Sequence, residues 1–188
     1  MERTSAPGED WRYGRLAIFL HWAIALLVAV LLGLGWYMMS VEEDPGSAPL
    51  FALHISLGLT AAFLIALRLA WRFGNPPRST ETGPRWQTRA ARLTHWLLYL
   101  LLVLMPLTGF LGASFGGDGV DFFGMALPQW SARNDSLKEQ LFGVHSFVAW
   151  LLVAVVSLHV LGALKHLLLD RDGVFWRMWP VSRSRQGR

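Results

Sequence analysis

Cysteine is absent from the 188 residues. That excludes covalently attached c-type haem, cysteine-ligated iron–sulfur clusters, disulfides and thiol catalysis. Non-covalent metal or haem binding through histidine remains open, and there are six histidines. Charge is scarce as well: charged residues make up 16% of the chain against 53% hydrophobic. The choice is therefore between a membrane protein and an unusually apolar soluble one. The formal net charge is +4, but no basic patch belongs to a soluble domain, so a nucleic-acid partner is excluded. Internal repeats and low-complexity tracts are also missing.

The apolar runs decide for the membrane. Stretches of spanning length cover Leu16–Met39, Leu50–Trp71, Leu93–Ser114 and Leu141–Leu169, each long enough for a hydrocarbon core about 30 Å thick. The first run is too long for a signal-peptide core, and Met38-Met39-Ser40-Val41 offers no small-x-small cleavage site, so it is expected to remain as a helix. The expected fold is all-α, a transmembrane four-helix up-down bundle over residues 15–180, with a polar tail at 1–14 and a basic tail at 181–188.

Orientation follows from charge. All but Arg133 and Lys138 of the 17 Lys and Arg residues fall in the N-terminal segment, the link between the second and third helices, or the C-terminal end. The positive-inside rule puts these segments, and hence both termini, in the cytoplasm. The first outer link is the tight turn Glu42-Glu43-Asp44-Pro45-Gly46. The second helix stops at Gly74-Asn75-Pro76-Pro77, and an extended basic linker is expected to follow. Pro106 predicts a kink in the third helix, with Gly109 and Gly112 permitting close backbone approach. The second outer link, Phe115 to Glu139, is long enough to form a partly ordered cap over the bundle.

Five of the six histidines interrupt these apolar runs near one end or the other. His145 and His159 lie 14 residues apart on the fourth helix, a climb of about 21 Å with a drift of about 40° from the starting face. By depth, His54 pairs with His145 near the outer side and His21 with His159 near the inner side. One buried histidine is usually a hydrogen-bonded core residue, but four in two depth-matched pairs point to one axial ligand above and one below each of two haems. A structural zinc would gather its four ligands together. Gly58 and Gly143 lie near the outer pair, and Gly33, Gly35 and Gly162 are further candidates for clearing space; ordinary helix packing explains them equally well. His166 and, less strongly, His95 fall at the inner rim, where a histidine suits proton donation to a quinone headgroup. Arg68, Arg72 and Arg92 are candidates for haem propionates, with snorkelling to lipid headgroups as the equal alternative.

Several motifs together resemble prokaryotic cytochrome b561. They are Leu20-His21-Trp22, His54-Ile55-Ser56-Leu57-Gly58 with Arg68-Leu69-Ala70-Trp71-Arg72, and His95-Trp96-Leu97-Leu98-Tyr99 leading to Met105-Pro106-Leu107-Thr108-Gly109. The 14-residue histidine pair and Asp172-Gly173-Val174-Phe175-Trp176-Arg177-Met178-Trp179-Pro180 complete the set, which runs from about Arg12 to Pro180. The resemblance implies a multi-pass protein of the bacterial inner membrane with two b haems, His21, His54, His145 and His159 at the ligand positions, and electron exchange with the quinone pool. Members of the family that act as superoxide oxidases pass electrons from superoxide at the periplasmic face through both haems to ubiquinone. His166, and less surely His95, carry over as quinone contacts.

That reaction needs an anion to approach an outer side where Asp and Glu outnumber the cations. Arg133 and Lys138 are the candidate basic patch for superoxide. The expected function is thus a superoxide:ubiquinone oxidoreductase in contact with membrane lipid. One alternative is a cytochrome b subunit that serves a dehydrogenase or hydrogenase through a redox partner protein. The other is a haem-free membrane transporter or scaffold.

Overall fold

The computed structural model describes residues 12–76, 84–117 and 119–180. The expected tails lie outside these residues except for 12–14, as do Arg3, Arg78, Asp118, Arg183, Arg185 and Arg188. Four helices dominate: α1 (Arg15–Ser40), α2 (Ala48–Gly74), α3 (Arg85–Ser114) and α4 (Asp135–Lys165). All four are long and apolar enough to cross a membrane. Contacts between their ends give the directions. Gly35 of α1 faces His54 of α2, and Arg68 of α2 reaches the Ala17 carbonyl of α1 at 3.0 Å. Trp36 and His21 of α1 meet Trp150 and His159 of α4 in that order. Gly109 and Gly112 of α3 face His145 and Phe142 of α4 in that order, so consecutive helices are antiparallel.

Two boundaries differ from the hydropathy reading. The third helix starts at Arg85, not Leu93, so Arg85, Arg89 and Arg92 ride on helical turns where an extended linker was expected. The fourth starts at Asp135, not Leu141: the Asn134 side chain accepts the Leu137 N–H at 3.1 Å, and Asp135 complements the positive helix end. Hydropathy marks the part of a helix that suits lipid, and polar turns continue beyond it. Pro106 sits within the continuous α3. After Lys165, α4 widens into a π-turn over His166–Asp170, and Arg171 takes a left-handed conformation (φ 52°) that reverses the chain.

The core is a mid-depth apolar layer made of two clusters. Ile24, Ala61 and Ile65 join α1 to α2, and Leu101, Val148 and Leu152 join α3 to α4. Val28 and Leu102 pack on both and unite them. Apolar burial gives little drive between helices when lipid is the solvent, so close contact depends on shape and polar bonds. A Cβ at Gly112 would lie 2.7 Å from the Phe142 ring, which shows how closely α3 and α4 approach. Outward faces carry large apolar side chains such as Leu26, Phe63 and Phe147.

The long link between α3 and α4 forms the expected cap. Asp121–Phe122 (β1) and Met125–Ala126 (β2) form an antiparallel hairpin. Phe123 and Gly124 turn it with positive φ (49° and 82°), the pattern of a tight hairpin turn. Ser56, only 2% exposed, pins it to α2 by accepting the Phe123 N–H at 3.0 Å. Trp130 stacks on Phe110 of α3 at 6.2 Å, and the Ser131 hydroxyl donates to the Ser114 carbonyl at 2.7 Å.

At the opposite end, the segment after α4 folds back under α1. The Tyr13 N–H donates to the Arg177 carbonyl at 3.2 Å, the Trp22 indole N–H to the Met178 carbonyl at 2.7 Å, and Arg12 to the Trp179 carbonyl.

Candidate functional site

The most extensive helix packing is α3 on α4, then α1 on α2, then α2 on α3. The paired histidines sit on α1 with α4 and on α2 with α4, helices that are not among these closely packed neighbours. Each pair therefore faces across the wider space between the two helical hairpins. Near the cap, His54 and His145 have ring centroids 6.3 Å apart, at 77° to each other. Near the termini, His21 and His159 are 6.2 Å apart at 71°. The Ile24 and Val148 clusters separate the two pairs along the bundle.

Ring spacing tests whether these residues fit an axially ligated iron. A ligating imidazole nitrogen lies about 2 Å from its metal, with the ring centroid about 1 Å behind, so two opposed ligands put their centroids about 6 Å apart. Both pairs match. His95 presents its ring to His159 at 5.4 Å, closer than this geometry needs. Among the described residues, the one group of three donors close enough to share a small ion is His166, Asp170 and Asp172, which contains none of the four paired histidines. The paired residues fit haem and do not form a zinc cluster.

The ring supports agree. The Nδ1–H of His145 donates to the Met105 carbonyl at 3.0 Å, and the Thr108 hydroxyl lies 3.2 Å from the same nitrogen. Nε2 is left as the atom that could ligate a metal, and the bond to the opposite nitrogen sets the ring's orientation. His54 has a buried Nδ1 with no hydrogen-bond partner among the described residues. A cost of about 1–3 kcal/mol attaches to such a nitrogen.

Two glycines make room for these rings. A Cβ at Gly109 would sit 3.0 Å from His145 Cε1, and one at Gly35 would sit 3.3 Å from His54 Cε1. Gly58, Gly143, Gly33 and Gly162, also expected as spacers, would meet nothing within 4 Å. Gly109 was read from the sequence only as a helix-packing residue. Its alignment with His145 depends on how α3 and α4 are rotated, which spacing within either helix does not reveal.

The half-buried Arg68 stands among the inner histidines, anchored by its bond to the Ala17 carbonyl and facing Tyr99. His166 directly follows α4, at the start of the π-turn, and lines an open cleft of about 310 Å³ with Leu167, Arg171, Gly173 and Trp176. His95 is not in that lining; it packs on His159. Asp172 is the residue that the sequence reading missed. Its Oδ2 accepts the His166 Nδ1–H at 2.7 Å.

On the cap side, Arg133 and Lys138 flank the Gly116-Gly117 turn: a Cβ at Gly116 would lie 3.8 Å from the Lys138 side chain, and one at Gly117 3.1 Å from that of Arg133. Arg133 is paired with Asp135 at 3.0 Å.

Comparison with known proteins gives the family. The family model described as prokaryotic cytochrome b561 matches residues 12–181. Cytochrome b561 homolog 2 of Escherichia coli (strain K12) is 31% identical over 192 residues, with all of both chains covered. The probable superoxide oxidase CybB of Yersinia pestis is 29% identical, covering 92% of this chain and 98% of its own. Cytochrome b562 of Cereibacter sphaeroides is 30% identical, covering 93% and 97% respectively. The chain belongs to the prokaryotic cytochrome b561 family: it is a multi-pass inner-membrane electron-transfer protein, and membership implies haem b.

Proposed function

We propose that this protein is a di-haem cytochrome that passes electrons from superoxide to ubiquinone, a superoxide:ubiquinone oxidoreductase. His54 and His145 hold one haem, and His21 and His159 the other. The observation that carries this reading is the pair of centroid spacings, 6.3 and 6.2 Å, at two depths of one bundle. A haem held by two histidines would supply one-electron storage and relay at each of these sites.

The chain's own residues do the rest. Met105 and Thr108 orient His145. Arg68, fixed near the inner trio, is placed to offer its guanidinium to a propionate; Arg72 and Arg92, nearer the cytoplasmic helix ends, are the other candidates for the same role. The positive-inside rule supports cytoplasmic termini, with the cap and the His54–His145 pair toward the periplasm. Arg133 and Lys138 then form the basic spot for superoxide on an otherwise acidic side. The relative named a probable superoxide oxidase supports that donor. The cleft beside His166 suits a quinone headgroup in size and polarity. His95 is the lesser quinone candidate, beside the inner ligand and outside the cleft.

The test is a reduced-minus-oxidised spectrum with haem quantitation on the purified protein, followed by exposure to enzymatically generated superoxide and a short-chain ubiquinone. Two haems per chain, reduced by superoxide and reoxidised by quinone without another subunit, support the proposal. A colourless protein rejects it. Haem reduction that requires a co-purified redox subunit favours the cytochrome b subunit of a dehydrogenase or hydrogenase.

A further inference from the structure

His166 is held by a carboxylate from beyond its own helix. The π-turn at His166–Asp170, the left-handed Arg171 and Gly173 (φ 82°) bring Asp172 back against the ring it has just left. Asp172 Oδ2 lies 2.7 Å from His166 Nδ1. Its other oxygen accepts the Val174 N–H at 3.1 Å, which holds the carboxylate plane. Asp170 lies further from the same nitrogen, at 3.3 Å, and is engaged by Lys165. Arg171, which also lines the cleft, donates to the Leu168 carbonyl at 3.2 Å.

A carboxylate accepts and does not donate, so the proton between His166 and Asp172 resides on Nδ1. Nε2 is then the nitrogen left for whatever enters the cleft. Resting on the quinone reading of that cleft, we propose that Asp172 is the positioning residue of His166: it keeps Nδ1 protonated and the ring in place, so that Nε2–H gives its proton to a quinone carbonyl oxygen. As each electron arrives from ferrous haem, the Nε2–H bond breaks and an O–H bond forms on the quinone. A proton from bulk solvent, reaching the open cleft, then returns to Nε2, while Nδ1 keeps its proton and its hydrogen bond to Asp172 throughout. Two such rounds turn the quinone into quinol. This is the orienting role that a buried carboxylate plays toward a general-acid histidine elsewhere.

The experiment uses haem-loaded protein, chemically reduced and mixed with a short-chain ubiquinone, with haem oxidation followed in time. His166→Gln and Asp172→Asn should each lower the maximal rate by roughly 10- to 100-fold, with half-saturating quinone, haem content and haem spectrum unchanged. Asp172→Glu should restore most of the rate, and Asp170→Asn should leave it near wild type. If Asp172→Asn is as fast as wild type while His166→Gln is slow, the positioning role is wrong and the quinone cleft stands. If both are as fast as wild type, the quinone reading of the cleft falls with it. A raised half-saturating concentration at unchanged maximal rate, or an Asp170→Asn defect equal to that of Asp172→Asn, also overturns the assignment. A further readout needs no mutant enzyme to be active: with His166 neutral, ring ¹⁵N shifts of the wild-type protein, assigned by comparison with His166→Gln, should report Nδ1–H and a bare Nε2. The opposite tautomer overturns the proposal.

Discussion

The Nδ1–H of His145 donates to the carbonyl of Met105, 3.0 Å away on the neighbouring helix. Met105 immediately precedes Pro106, and the Thr108 hydroxyl turns back to bond the Leu104 carbonyl at 2.7 Å. The stretch of α3 from Leu104 to Gly109 therefore holds the outer ring in two ways: polar atoms grip one nitrogen, and Gly109 clears the space in front of the ring.

The histidine pairs should behave as pairs. His54→Ala and His145→Ala are each expected to remove the same haem, and His21→Ala and His159→Ala the other. The double variant within a pair should lose no more haem than either single variant. His95→Ala should retain both. Pyridine haemochrome quantitation with redox titration of each variant checks this. Two haems retained in any ligand variant would break the assignment, as would loss of a whole haem in His95→Ala.

Gly109→Val should act on the outer haem alone. Even the first carbon of the new side chain would sit 3.0 Å from His145 Cε1, so the ring must shift. Misplaced groups in a packed site commonly cost about 1–3 kcal/mol. Haem content should fall toward one per chain, with the inner haem's spectrum intact.

Ser56→Ala should loosen the cap. The substitution removes the acceptor for the Phe123 N–H at the hairpin turn and leaves that N–H without it, a loss of about 1–3 kcal/mol. Hydrogen exchange at the Phe123 amide should quicken by roughly 5-fold or more, while amides in the middle of α2 keep their protection. Unchanged exchange would mean that Trp130 and Ser131 hold the cap by themselves.

Neutralising Arg133 and Lys138 together should slow haem reduction by superoxide, by less than about 10-fold, and flatten its dependence on salt. Lys138→Gln should account for most of the effect, because Arg133 is offset by Asp135. Stopped-flow reduction at low and high ionic strength reads both quantities. Rates unaffected in the double variant would remove this patch from the mechanism.

The four helices and the two-level arrangement of histidines were legible in the amino-acid chain. Both follow from distances measured along a single helix: hydropathy over a span's length, and a 14-residue rise of about 21 Å. The cap was legible as an ordered loop because its length and its glycines and aromatics set it apart, but not as a hairpin hung from Ser56. The extra turns of α3 and α4 escaped because hydropathy measures compatibility with lipid and not helicity.

What tertiary structure decided was the identity of each ring's neighbours. Gly35 and Gly109 face the outer rings while Gly58 and Gly143 do not, and His95 meets His159. Those contacts depend on how far each helix is rotated about its axis and where the axes cross, and periodicity within one helix carries neither angle. Asp172 makes the same point at the chain's end. Six residues separate it from His166, a spacing that puts two side chains on different faces of a straight α-helix. Only the widened turn and the left-handed Arg171 bring its carboxylate back to the imidazole.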